Sequence, residues 1–181
     1  MKIFFLQHIP PKPEKDPRRL PLALLPDTAI TPKGMPVFLP DFATEGWEFH
    51  AVAALRIGRL GKSIPRKFAH RYIDGMTLGA LLLPSVANTA LPSPVPFDSA
   101  LTLGAFIGPA QTFKVSFGSH AITPEGIMPM AEAAVEAVSA FSTLRTGDLL
   151  ILPLPATIPA AINLQLPMEI NGTPVGLLRV K

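Results

Sequence analysis

Apolar residues along this chain come mostly in short runs closed off by proline or glycine. Such punctuation suits short strands and loops, because proline is excluded from helix interiors and from central sheet ladders. The clearest run, Trp47 to Ile57, carries Val52, Leu55 and Ile57 between Gly46 and Gly58 and predicts a strand. A shorter strand is predicted at Lys2 to Leu6, before a proline-rich stretch to Pro26. Short extended pieces are expected around Asp27 to Ile30 and Val37 to Leu39.

Two segments have helical spacing. Ile64 to Asp74 starts with Pro65, sets Phe68 and Tyr72 four apart, and meets Gly75 just beyond. Met130 to Leu144 lines up Ala131, Ala134, Val135, Val138 and Phe141 on one stripe, with Glu132, Glu136 and Ser139 facing out. Thr146-Gly147-Asp148 then reads as a turn feeding an apolar strand, with Asp148 as a turn residue, and Asn171-Gly172 predicts a two-residue hairpin loop. The pattern is that of an α+β domain, mostly β, with two or three short helices.

Composition narrows the function classes. A chain of 181 residues with 48% hydrophobic content and mean hydropathy +0.36 can fill the core of one domain, 1–181, with 1–26 as a proline-rich segment packed on it. Charged residues are only 16%, below the roughly 25% typical of soluble domains, so self-association as a homodimer is expected. The one dense basic stretch, KPEKDPRR at 12–19, contains its own acids, and no nucleic-acid partner is expected. Without cysteine, disulfides, thiolate metal sites and cysteine nucleophiles are excluded. The apolar run before Gln7 is too short for a signal peptide, which favours a cytoplasmic protein. The uncharged stretch 75–97 holds Pro84, Pro92, Pro94 and Pro96 and would not span a membrane; no membrane partner is expected.

Candidate chemistry begins on the Trp47–Ile57 run. Glu48 and His50 are two apart, so a strand presents both from one wall. They can be a metal site, the remnant of one, or a buried hydrogen-bonded pair. His70 and Arg71 are expected on a solvated helix face, and His120 in a loop.

Five segments in order, LLPDTAITPKGMPVFLPDF, WEFHAVAALRIGRLGKSIPRKFAHRYIDGMTLG, PFDSALTLGAFIGP, STLRTGDLLILPLPAT and MEINGTPVGLLRVK, resemble the fumarylacetoacetate hydrolase family, in particular its short single-domain members. The likeness covers most of residues 20–181 and is weakest between Gln111 and Pro129. It implies a mixed β-sandwich roll, usually dimeric. It also implies descent from Mg²⁺- or Mn²⁺-dependent enzymes that hydrolyse, isomerise or decarboxylate small oxo-acids. Such a hard cation needs converging oxygen ligands and polarises a substrate carbonyl.

Several parts implied by that resemblance are altered. The family's Glu-x-Glu metal pair is matched by Glu48 and His50, and imidazole in place of carboxylate favours Zn²⁺, Ni²⁺ or Fe²⁺ over Mg²⁺. The third carboxylate falls at Leu81, a following arginine near Ser85, and a lysine at Val95. The Thr-Gly-Thr-Pro substrate loop becomes Leu152-Pro153-Leu154-Pro155. Phe97-Asp98 is kept, with Asp98 either at the pocket edge or simply in a turn. His8 is the candidate for the family's catalytic histidine. Between Asp74 and Lys114 the only charged residue is Asp98.

Two readings follow. In one, the protein is a catalytically degenerate member without a cofactor, a binding or structural homodimer whose pocket, lined by Leu81, Ser85, Asp98, Leu152 and Pro155, takes a small apolar ligand. In the other, it is an active hydrolase, isomerase or decarboxylase of oxo-acids that uses Mg²⁺, Mn²⁺ or Zn²⁺ on an altered Glu48/His50 site.

Overall fold

The run between Gly46 and Gly58 forms the expected strand. In the computed structural model, which describes residues 1–7, 21–42, 46–85, 97–109, 113–123 and 127–181, that strand lies deep in the larger of two sheets. The strands are β1 (Ile3–Leu6), β2 (Leu22–Leu25), β3 (Trp47–Ile57), β4 (Ile73–Pro84), β5 (Leu101–Leu103), β6 (Val115–Phe117), β7 (His120–Ile122), β8 (Leu149–Pro159), β9 (Gln165–Ile170) and β10 (Thr173–Arg179). Six of them order as β2-β1-β8-β3-β4-β5, and the rest as β10-β9-β6-β7. β1 runs parallel to β8; the other pairs within the sheets are antiparallel. The helices are α1 (Arg66–Ala69) and α2 (Ile127–Phe141).

The larger sheet is buried on both faces. Toward the smaller sheet and α2 it presents Phe49, Ala51, Ala53 and Leu55 of β3, which pack with Leu78, Leu152, Phe117, Met168 and Val135 among others. Its opposite face presents Val52 and Ala54 to Ile3, Phe5, Leu81, Leu101 and Ile151. Burial on two faces explains why β3 reads as an almost continuous apolar run instead of a strict alternation. Only near its ends does the second face open, at Glu48 and His50 and again at Arg56.

Several boundaries differ from the sequence pattern, each for a local reason. α2 starts three residues early because Pro129 sits in the first turn, where its missing N–H costs nothing. It stops at Phe141 because Leu144 instead exchanges backbone hydrogen bonds with Gly61, at 2.8 and 3.0 Å. Past Ala69 the chain tightens into a 3-10 turn to Tyr72, and Gly75 lies within β4 rather than ending a helix. A side chain there would press on the Arg56 guanidinium, 3.2 Å from an ideal Cβ. Asp27–Ala29 is a 3-10 turn set by Pro26, and only Ile30 is extended. Val37 forms a single bridge to Val180, with Pro36 and Pro40 limiting its extension. The hairpin forms as expected: Asn171 and Gly172 have φ of 51° and 76°, the left-handed geometry of a type I′ loop, and Ile170 pairs with Thr173. Among the described residues no helix is long and apolar enough to cross a membrane.

Candidate active site

The alternation of β3 places Phe49 in the core and turns Glu48 and His50 to the other side, half-buried. His50 Nε2 lies 3.6 Å from Glu48 Oε2, an ion-pair distance if the imidazole is protonated. On its other side His50 Nδ1 lies 3.4 Å from the Thr157 hydroxyl. The pair is therefore not the fully buried one that the apolar run suggests; about a third of each side chain meets solvent, 38% for His50 and 32% for Glu48.

Two effects on His50 oppose each other. Burial pushes its imidazole below the usual histidine range, and the Glu48 carboxylate pulls it up but is the smaller effect. Since the unfolded chain then binds the proton more readily, stability is full above the unfolded value of about 6.5 and falls as the pH drops through it, levelling off below the folded value. Replacing His50 with Gln is expected to flatten the pH dependence of the urea midpoint over this acidic window. Identical slopes in the two proteins would show that His50 does not set it.

Cross-strand register completes the wall. On β4, Leu81 is the partner of His50 and Leu83 that of Glu48. Leu81 is 1% exposed and packs in the second-face cluster with Val52, Ile151 and Leu101. On β8, Thr157 is opposite His50 and Pro159 opposite Glu48. Between Val52↔Pro153 and His50↔Thr157 the ladder is interrupted, with Leu154, Pro155 and Ala156 set against the single residue Ala51. Pro153 and Pro155 cannot donate to the ladder, so an interruption here is the expected outcome. Without it, Thr157 would not reach His50.

The remaining candidate residues scatter. Leu152 pairs with Ala53 and is fully buried in the main core on the far side of the sheet, so the sequence-based pocket cannot include it. Pro155 is exposed within the interruption. Ser85 lies just past β4 and donates its N–H to Gly46 O at 3.0 Å. Asp98 is exposed in a turn, while its neighbour Phe97 packs edge-on against Trp47 and Phe42 at 5.3 and 5.7 Å. His8 and Val95 lie outside the described residues. Away from this wall, His70 is exposed, 3.7 Å from Glu132, and His120 is an exposed residue of β7.

By sequence, no family model matches the chain and no curated protein matches it. By structure the likeness is broad. The 5-carboxymethyl-2-hydroxymuconate delta-isomerase of Mycobacterium smegmatis superposes with a TM-score of 0.80 at 19% identity, over 99% of this chain and 78% of that one. Fumarylpyruvate hydrolase of Pseudomonas aeruginosa, solved with Mn²⁺ and pyruvate, gives 0.75 at 16% identity over 99% and 89%. A protein of Yersinia pestis CO92 assigned to the fumarylacetoacetate hydrolase family gives 0.76 at 19% identity over 99% and 92%. The chain has the fumarylacetoacetate hydrolase fold.

Within that fold, the described residues of the Glu48 wall offer few of the oxygen donors that a hard cation takes. Among the described residues no three His, Asp or Glu side chains come together as a metal would require. Glu48 and His50 supply one carboxylate and one imidazole already in contact, with the hydrocarbon of Leu81 beside them, whereas Mg²⁺ and Mn²⁺ take mostly oxygen ligands. Sequence reasoning missed Thr157. The signal was there, since it is the only side chain bearing a hydroxyl between Leu149 and Ala161.

Proposed function

We propose that this chain is a divergent member of the fumarylacetoacetate hydrolase family that has given up metal-dependent chemistry and serves as a binding or structural homodimer. The observation that carries this reading is the position of Leu81. By resemblance it stands where the family has its third carboxylate, and the β3–β4 register puts it directly across from His50. A leucine there supplies no ligand and removes a negative charge that would draw a cation. The scarcity of charge from Gly75 to Phe113, where only Asp98 is ionisable, acts in the same sense. Such a wall suits a small apolar ligand better than a charged oxo-acid.

A second reading keeps one observation in its favour. Glu48, His50 and the Thr157 hydroxyl face one partly open wall, and that N/O set suits Zn²⁺ better than Mg²⁺. In this reading the protein is an active hydrolase, isomerase or decarboxylase of oxo-acids.

Thermal unfolding of metal-stripped protein, with and without excess Mn²⁺, Mg²⁺ or Zn²⁺, separates the two. A cation at about 100 times its dissociation constant adds about 2.7 kcal/mol, a shift of several degrees. No shift is expected with any of the three. Glu48→Ala is expected to change stability by less than about 1 kcal/mol, because half-exposed pairs contribute little. A metal-induced shift that disappears in Glu48→Ala would establish the second reading.

A further inference from the structure

Between Glu48 and Asp74 the chain has no acidic residue but six cationic ones: Arg56, Arg59, Lys62, Arg66, Lys67 and Arg71. Most are three or four residues apart, so they form no dense basic stretch along the sequence. The fold brings the loop that carries Arg59 and Lys62 to the turn that carries Arg145, whereas Arg56 stays on the second face of the larger sheet, paired with Asp74. The Gly61–Leu144 backbone pairing brings Arg145 to the 58–63 loop, and the Thr146 hydroxyl donates to Gly58 O at 3.3 Å. Ser63 donates its N–H to Ser139 O at 2.8 Å, which holds the same loop against the end of α2.

The acids nearby are already engaged. Asp74 pairs with Arg56 at 2.7 Å, Glu132 lies 3.7 Å from His70, and Glu136 accepts the Arg66 backbone N–H at 3.1 Å. Among the described residues, Arg59, Lys62 and Arg145 are exposed and have no side-chain partner. Set among these cations are large apolar side chains open to solvent. Leu60 is 68% exposed between Arg59 and Lys62, and Phe68 and Phe141 are exposed on α1 and at the end of α2.

The combination selects the partner. A single-stranded nucleic acid would be met by open aromatic faces for stacking, but the Phe68 ring is occupied by Lys67 and Arg71, each 4.9 Å from its centroid. A protruding aliphatic side chain flanked by cations matches instead the interface of an anionic bilayer, where apolar tips enter the headgroup layer and cations meet lipid phosphates. We propose that the 58–63 loop, α1 and the Arg145 turn dock the protein peripherally on an anionic lipid surface, with Leu60 as the inserted tip. This holds whether or not the Glu48 wall binds a metal.

Co-sedimentation of the full chain with phosphatidylcholine vesicles, with and without phosphatidylglycerol, tests it. Binding is expected only to the vesicles containing phosphatidylglycerol and should weaken as salt is added. Arg59→Gln with Lys62→Gln should lower the affinity by roughly 30-fold, about fivefold for each cation. Leu60→Ser should lower it by roughly tenfold. All three positions are exposed, so thermal stability of the variants should match the parent. No binding to either vesicle, equal binding to both, or variants that bind like the parent would overturn the proposal. Retention of a single-stranded oligonucleotide without vesicle binding would overturn it in favour of a nucleic-acid surface.

Discussion

Asp148→Ala is expected to cost about 3 kcal/mol of stability, more than any change at the candidate site short of burying a charge. The carboxylate is 2% exposed. Its Oδ1 accepts the Lys2 backbone N–H at 2.8 Å, and its Oδ2 accepts the Arg145 N–H at 2.9 Å. The Lys2 ammonium lies 3.4 Å from Oδ2 and also donates to Ser142 Oγ and Thr143 O. One side chain thus fastens the first strand, the turn before β8, and the start of the parallel β1–β8 pair. Alanine would strand two N–H groups and loosen the ammonium, whose partial exposure limits the loss. Asparagine keeps one acceptor and should recover about half of it. Urea unfolding of the three proteins measures this, and a change below about 1 kcal/mol for alanine would mean that water replaces the carboxylate at no net cost.

Leu81→Asp is the second large effect, and its size should depend on the metal added. Without metal, a carboxylate at a 1% exposed position inside the second-face cluster is expected to destabilise by about 3–5 kcal/mol, as an uncompensated buried charge does. By the β3–β4 register the new carboxylate lies across from His50, beside Glu48, and would supply a third donor. Excess Mn²⁺ or Zn²⁺ should then recover about 2–3 kcal/mol in the variant and nothing in the parent. A variant that is destabilised but indifferent to every metal would remove Leu81 from the ligand position and with it the main support for the proposed loss of chemistry.

These two residues mark the limits of what pattern could show. Leu81 was singled out by a comparison of segments in order, but its place across from His50 came only from the β3–β4 register. Asp148 was legible only as a turn residue. Its partner Lys2 is 146 positions away, and nothing in TLRTGDLL announces that a parallel strand will lie alongside. Leu152 shows the same limit in reverse. Its segment was matched to a substrate loop, yet alternation along β8 sends it into the main core, while two prolines shift the register and bring Thr157 to His50 instead. A side chain changes faces with each residue of register, so a local interruption reassigns the wall.

By itself, then, the sequence determined β3 to the residue, the Asn171-Gly172 hairpin and the Ala131–Ala134–Val135–Val138 part of the α2 stripe, all encoded by interactions within a few residues, and the order of segments that marks the fold; in α2 it erred on Ser139, which is buried, and on Phe141, which is exposed. Only the tertiary structure decided which hydroxyl meets His50, that Asp148 is buried, and that the 58–63 loop lies beside the Arg145 turn and the end of α2. Those facts depend on long-range pairing and on the closing of loops, and the free energy that selects them comes from burying the two faces of one sheet rather than from any local preference.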